Sequence, residues 1–507
     1  MARRPQAVPA TWAARVRAAY AAAHFSAAGA LYDEHAAARD VPPDLVLLRA
    51  RIALTVDPPA ALDLLLAQRP RLDRPGDRLA AEILLGSSFA RLHDYAAADA
   101  YFERARLLLD RRSFAQGALL AAARGRRYLH EGRIGDAWRC YEASLADRRI
   151  EGRIESEALK AEIHRSESRF GEEAASLMRL LSLLGERLDG HLALWYNAVA
   201  QLARRACELP APAAAATVAT ALTARPVWSP DFATERFDSL RSLAWCKALA
   251  GDALGSFRLL REAGAISESL KSAPLRAMIL LDRAQFARQA REENWSANEA
   301  AVAMDVLRDV DWPRTTTAER AVLPLLAEVL APTDPEGAAA AIVRHSTLAG
   351  SPDAIAIAAR GVVHVANGRT REGVRALREA YEAFDRAGSE WRAGKAAIAL
   401  ARATGEARWR LLALENLEFY AASWLYAEAQ GVAQAGGTSE GLSLTPTQER
   451  VFHMICEGLS TDAIAARLGR SHSTVRNHIK LIFKSLGVRS RAALVAKAAR
   501  TGHFTVS

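Results

Sequence analysis

The sequence predicts an all-α protein in which a long series of helical hairpins precedes a small four-helix domain. Alanine and arginine dominate the chain while runs of β-branched residues are scarce, which favours helix almost throughout. At 507 residues the chain is too long for one compact core, so it must divide into domains or extend as repeats. A pattern of paired helices also recurs between residues 10 and 425.

The clearest pair of helices lies in residues 84–110, LLGSSFARLHDYAAADAYFERARLLLD. A short polar turn at His93 and Asp94 separates two helical segments. Gly86 on the first helix is small enough to let the second approach, and Phe102 fills the gap between them. This spacing of small and aromatic residues resembles that of the tetratricopeptide repeat.

The same pattern recurs loosely in residues 123–146, 239–264 and 358–384. The first two units are 39 residues apart, measured from Ala98 to Ala137, whereas a tetratricopeptide repeat spans about 34, so the repeats are degenerate. Each hairpin leaves an apolar face that a stacked neighbour must cover, which predicts a helical-repeat solenoid. A non-repeating helical bundle is the alternative for this region.

Composition divides the chain into three predicted parts: a repeat region at 1–429, a linker at 430–441 and a tail domain at 442–507. The linker, QGVAQAGGTSEG, is predicted to be flexible because it is rich in small and polar residues and has no apolar periodicity. The tail holds ten Lys and Arg against three acids, which is +7 of the net charge of +9. Such a basic patch is typical of a domain that binds a polyanion.

The tail is predicted to form four helices. Thr445 and Pro446 suit the start of the first helix, and Ser460 or Thr461 the start of the second. Gly469 can then take the left-handed conformation in a tight turn, after which Ser471 can cap the third helix.

The third helix has two distinct faces. One is apolar, with the residues Val475, Ile479, Ile482 and Leu486 at helical spacing. The other carries hydrogen-bond donors and is formed by Ser473, Arg476, Asn477, Lys480 and Lys484. Two helices joined by a short turn, the second exposing donors, predict a helix-turn-helix that enters the major groove of DNA. A solvated basic face on a helical domain is the alternative.

The whole tail resembles the LuxR/NarL-type helix-turn-helix domain of bacterial transcription regulators. The matching residues are Leu444, Thr445, Pro446, Val451, Gly458, Leu459, Ser460, Ile464, Ala465, Leu468, Ser471, Thr474, Val475, His478, Leu486, Gly487, Val488, Ser490 and Arg491. The resemblance implies base contacts by Arg476, Asn477 and Lys480. It implies phosphate contacts by Thr474, Lys484 and Arg491.

The resemblance also implies that such domains dimerise on DNA through a last helix, in this chain residues 491–500. Leu494 and Val495 fit that role but equally fit a place in the core. The chain departs from the family at Arg470, where an apolar residue is usual, and we expect this arginine to add a phosphate contact. His478 matches the family and is expected to be structural.

No catalytic, cofactor or metal site is expected. The chain has no GxxxxGK[ST] motif for nucleotide phosphates and no Ser/His/Asp or paired-carboxylate arrangement specific enough for catalysis. Its four cysteines lie far apart without metal-ligand spacing, which favours a reducing cytoplasm. The first 20 residues lack the apolar segment of a signal peptide, and the run at 211–224 is too short to span a bilayer.

These features predict a cytoplasmic transcription regulator that is not an enzyme and does not bind a membrane. Its tail would bind double-stranded DNA as a homodimer. Its repeat region would receive a signal from a protein, a peptide or a small ligand, with RNA polymerase or another protein as a partner. The alternative is a repeat scaffold for protein partners whose tail no longer selects DNA sequences.

Overall fold

The computed structural model describes residues 11–36, 41–109, 114–186, 191–289, 293–349, 353–435, 446–456, 459–485 and 494. Within these ranges the chain forms helices joined by short turns, and no strand occurs there. Among the same residues, no helix combines the length and the apolar character that crossing a membrane requires.

Helices follow one another along the described parts of the chain. The first twelve are α1 (Trp12–Ala21), α2 (Phe25–Ala36), α3 (Pro43–Val56), α4 (Pro58–Gln68), α5 (Pro75–Arg91), α6 (Tyr95–Leu108), α7 (Phe114–His130), α8 (Ile134–Ser144), α9 (Ile150–Ser166), α10 (Phe170–Glu186), α11 (Leu192–Glu208) and α12 (Pro212–Ala224). The next twelve are α13 (Ala233–Leu249), α14 (Ala253–Ser269), α15 (Ala273–Gln289), α16 (Glu293–Val306), α17 (Thr317–Arg320), α18 (Val322–Leu330), α19 (Pro335–Ala349), α20 (Ala354–Ala366), α21 (Thr370–Ala387), α22 (Glu390–Thr404), α23 (Ala407–Leu417) and α24 (Trp424–Ala435). The tail contains α25 (Pro446–Cys456), α26 (Thr461–Leu468) and α27 (His472–Ser485). Single turns of 3₁₀ helix occupy Arg69–Arg71, Pro230–Phe232, Trp312–Arg314 and Glu418–Tyr420.

Two compact units make up the chain, the first formed by residues 1–205 and 212–239 and the second by 206–211 and 240–507. In the first unit, α1 to α10 pair consecutively as hairpins, and the first helix of each hairpin packs on the first helix of the next. In the second unit, α15/α16, α18/α19, α20/α21 and α22/α23 pair and stack in the same way. The stacked hairpins confirm the predicted helical-repeat architecture.

The hairpin of α5 and α6 has the predicted turn and the predicted close approach. The Asp94 carboxylate accepts a hydrogen bond from Ala97 N at 3.0 Å and so caps α6. Phe102 is fully buried, and a Cβ added to Gly86 would lie 2.5 Å from its ring. Only glycine therefore lets the two helices approach this closely.

The hairpin of α20 and α21 brings two helix backbones into direct contact. A Cβ added to Gly361 would lie 3.1 Å from the carbonyl oxygen of Gly373 and 2.7 Å from Leu377 Cγ. Gly368 has a φ of 75° in the turn that joins the two helices, a conformation that glycine adopts without strain.

Part of the segment predicted as a linker is helical. Helix α24 extends to Ala435 and thus includes residues 430–435. The buried Leu425 and Ala429 hold this helix against the repeats, and the Gln and Ala residues that follow have good helix propensity, so the helix continues. Residues 436–441 lie outside the described residues, and the boundary between repeat region and tail stays a prediction.

Candidate nucleic-acid interface

Local hydrogen bonds set the turn between α26 and α27. Ser460 Oγ accepts a hydrogen bond from Ala463 N at 3.1 Å and caps α26. Gly469, with a φ of 61°, ends that helix in the left-handed conformation. Ser471 Oγ then accepts from Thr474 N at 3.1 Å and caps α27. The tight turn follows the sequence prediction; Thr445, the predicted cap of α25, lies outside the described residues.

The apolar face of α27 packs into the core of the tail. Val475, Ile479 and Ile482 are buried there against α25 and α26. Leu494 is fully buried in the same core, so it takes the core role rather than the dimer role. Leu486 and the other residues of the predicted last helix lie outside the described residues.

A second face of α27 is open to solvent. Arg476 and Lys480 lie one helical turn apart and are both exposed; we call them the exposed stripe. Among the described residues, neither side chain has an ion-pair partner. Their charges are therefore available to a ligand.

A third face of α27 lies against the repeat helices of the same unit. Thr474, His478 and Leu481 are spaced by four and three residues, and we call them the docked stripe. His478 Nδ1 is 2.6 Å from Glu415 Oε1 on α23, and the two side chains are 11% and 6% exposed. Thr474 Oγ1 is 3.5 Å from Glu390 Oε1, at the start of α22.

Arg470, in the turn before α27, also contacts the repeats. Its guanidinium forms an ion pair with the carboxylate of Asp385 and donates to the backbone carbonyl of the same residue. The side chain is only 14% exposed, and this burial lowers the pKa of the guanidinium. The arginine expected to contact phosphate is therefore engaged with α21 in this arrangement.

Asn477 lies at the border between the two stripes. It is half-buried, and its Nδ2 atom has no hydrogen-bond partner among the described residues. The side chain lines a small cavity of about 30 Å³ together with Glu390 and Glu415. Burial at this cavity, reinforced by the nearby Glu415 and opposed by a hydrogen bond from Thr474, raises the pKa of Glu390 to about 7.

The seven residues predicted to bind DNA thus fall into three groups. Arg476 and Lys480 are exposed, whereas Thr474 and Asn477 are turned toward the repeats. The positions of Ser473 and Lys484 are helical, but their side chains lie outside the described set, as does all of Arg491.

Sequence reasoning missed the contacts that Arg470 and His478 make with the repeats. The departure from the family at Arg470 was the available signal, because an arginine in an apolar position calls for an acidic partner. No group of His, Cys, Asp and Glu suited to a metal ion occurs among the described residues.

Comparison with known proteins places the tail in a family. Residues 442–498 match the model of the luxR family of bacterial regulatory proteins. A protein of Mycobacterium bovis named as an HTH-type transcriptional regulator is 47% identical over 60 residues, which are 12% of this chain and 7% of that protein. The chain thus spans about 7% of the length of its mycobacterial relatives.

The spore germination protein GerE of Bacillus subtilis is 37% identical over 61 residues, 12% of this chain and 82% of GerE. A solved structure of the apo form of RapI aligns with 78% of this chain and 99% of RapI, with a TM-score of 0.41 and 11% identity. The family model covers the segment that holds α25–α27, and the match to GerE covers more than two thirds of that protein. The chain belongs to the luxR family of bacterial regulatory proteins, and its helix-turn-helix domain lies in residues 442–498.

Proposed function

We propose that this chain is a transcriptional regulator whose α27 reads the major groove of double-stranded DNA. The observation that carries the proposal is the arrangement of one helix: Val475 and Ile479 are buried beneath it, while Arg476 and Lys480 extend into solvent. Fixing the apolar face determines which side chains point outward, and in α27 those side chains are cationic.

The chemistry of the outward side chains suits base edges and phosphates. Arginine and lysine pair with the O6 and N7 acceptors of guanine, and asparagine pairs with adenine. Asn477 belongs to this set once its side chain is free of the repeats. Ser473, Thr474, Lys484 and Arg491 complete the proposed contact surface, the last three of them at phosphates.

The repeat region is proposed to receive the signal. A groove of about 440 Å³ between α19 and α20 is lined by apolar side chains that include Ile342 and Val343. Arg360, His364 and Arg369 also line the groove, and none of the described residues that line it is acidic. A small ligand or peptide with an apolar body and an anionic group would suit it. RNA polymerase or another protein is the proposed macromolecular partner of the repeats.

Mapping of the DNA bound by this chain across the genome of the native bacterium would identify the operator sequence. If the chain binds as a homodimer, the half-sites should lie about one helical turn, roughly 10 base pairs, apart. Replacing Arg476 or Lys480 by Ala should then weaken binding to an operator duplex by about 1–3 kcal/mol each, because each loses a base contact. Fluorescence anisotropy with the full chain measures this change.

Arg450→Ala is the matched control. Arg450 is exposed on α25, so this variant removes the same charge from the tail without touching α27. It should weaken binding to operator and to unrelated duplex equally, whereas Arg476→Ala should reduce the preference for the operator. Unchanged operator binding by Arg476→Ala and Lys480→Ala would reject α27 as the reader. A wild-type chain without any sequence preference would favour the alternative, a protein-binding scaffold.

A further inference from the structure

Repeat helices α21, α22 and α23 present a cluster of acids to the docked stripe. Asp385, Glu390 and Glu415 each approach a residue of the helix-turn-helix, and Glu418 lines the same cavity. We call these four residues the acidic surface.

The partners of the acidic surface are the groups that DNA would also use. Arg470 and Thr474 contact carboxylates in this structure. On DNA the same guanidinium and hydroxyl, and the amide of Asn477, would meet phosphates and base edges. The same side chains are therefore needed both for docking and for DNA binding.

The shape of the major groove makes the two states exclusive. An α-helix with its side chains is about 10–12 Å across, and the groove is about 12 Å wide, so a helix in the groove has a wall on each flank. The docked stripe forms one flank of α27, next to the exposed stripe. While α21–α23 cover that flank, a groove wall cannot reach it.

The docked interface satisfies its polar groups poorly. His478 Nδ1 and both carboxylate oxygens of Glu415 are buried without a well-aligned hydrogen bond, although Nδ1 and Oε1 are 2.6 Å apart. Asn477 Nδ2 is likewise buried without a hydrogen-bond partner among the described residues. Buried polar groups without partners cost free energy, which they regain when water or DNA solvates them. Opening the interface would therefore let these groups regain hydrogen bonds.

We propose that the acidic surface is an intramolecular docking site that holds the helix-turn-helix off DNA. The inference rests on the proposed DNA-binding function. Its partner is a segment of this chain, and its competitor is the sugar–phosphate backbone. A signal received by the repeats would act by separating α21–α23 from α27.

Removing the charges of the acidic surface tests this inference in the full chain. Asp385→Asn combined with Glu415→Gln weakens two of the contacts while preserving side-chain size. The double variant should bind an operator duplex about tenfold more tightly than the wild type, because a larger fraction of molecules is competent to bind. Each single variant should shift binding in the same direction. Fluorescence anisotropy gives the affinities, and calorimetry checks that the variants are folded.

Glu379→Gln with Glu382→Gln is the matched control. Both glutamates are exposed on α21, and neither lines the cavity. This variant removes the same charge from the same helix, so it measures the effect of net charge alone; its affinity should change less than about threefold.

Equal affinities for the wild type, the double variant and the control would overturn the docking site. That result would leave the proposed function intact, provided that Arg476→Ala still loses binding. Binding by none of these chains to any duplex would instead reject the proposed function, and with it the docking site.

Discussion

Two interfaces within the second unit differ in what holds them together. Between α20 and α21, Gly361 and Gly373 bring the helix backbones into contact, and Leu377 fills the remaining space. Between the helix-turn-helix and α21–α23, the close contacts are made by polar groups such as those of Arg470 and His478, with the apolar Leu481 beside them. The first interface is close-packed and apolar, whereas the second mixes polar and apolar groups and is incompletely hydrogen-bonded.

The two interfaces differ in how readily water can replace their contacts. Water cannot replace the apolar contacts between α20 and α21. Separating the two helices therefore costs the full free energy gained by burying their apolar surface. Carboxylate, imidazole and amide groups can be solvated again, and each buried polar atom left without a hydrogen bond costs about 1–3 kcal/mol. We therefore expect α20 and α21 to stay packed together, whereas α27 can separate from α21–α23.

The largest effect is expected inside the hairpin. Gly361→Ala places a methyl group 2.7 Å from Leu377 Cγ and within 3.1 Å of backbone atoms that cannot yield easily. Such overpacking should destabilise the unit by about 1–3 kcal/mol. Scanning calorimetry should show a lower Tm with little change in the DNA affinity of the chain that remains folded.

Gly117→Ala on α7 is the control for that change. An added Cβ there meets nothing within 4 Å, so the variant should gain about 0.5–1 kcal/mol from better helix propensity. A Gly361→Ala chain as stable as the Gly117→Ala chain would contradict the close packing inferred for α20 and α21.

A smaller, pH-dependent effect is expected at the docked interface. Burial raises the pKa of Glu390 to about 7 in the docked state, whereas its ordinary value is 4.5. The docked state therefore binds a proton more tightly than the released state. Its stabilisation from Glu390 is fully present below about pH 4.5 and is lost as the pH rises through about 7. DNA affinity of the full chain should rise several-fold between pH 5 and pH 8.

Other titratable groups lie near Glu390. The other titratable residues that line the same cavity are Tyr381, Asp385, Glu415, Glu418, Arg470 and His478. Glu390→Gln resembles the protonated side chain, so it should keep the docked state at high pH and flatten the pH dependence. Glu379→Gln should leave that dependence unchanged. An equally steep pH profile in the Glu390→Gln chain would assign the effect to another of these groups.

Local features of the fold and site followed from the sequence. Asp94, Gly469 and Ser471 each act through residues within a few positions along the chain, so their roles as caps and turns could be predicted. The spacing of Val475 and Ile479 set the buried face of α27 for the same reason.

Contacts between distant segments could not be predicted in that way. Arg470 and Asp385 are 85 residues apart, and nothing in the spacing of either segment indicates the other. The helical residues 430–435 illustrate a related limit: their composition suits a linker, but packing of the preceding turns of α24 continues the helix. Charge pairing and packing across the unit decide both cases.

Labelling of carboxyl groups, read by mass spectrometry, distinguishes a docked α27 from a released one in the full chain. In the free chain Glu415 is almost fully covered, so a carbodiimide-coupled amine should modify it slowly, whereas the exposed Glu379 should react fast. Addition of an operator duplex should raise the labelling rate of Glu415 severalfold and leave that of Glu379 unchanged, because α27 leaves the repeats when it enters the groove. If Glu415 stays protected while the duplex is fully bound, α27 binds DNA without leaving the repeats, which would contradict the proposed docking site.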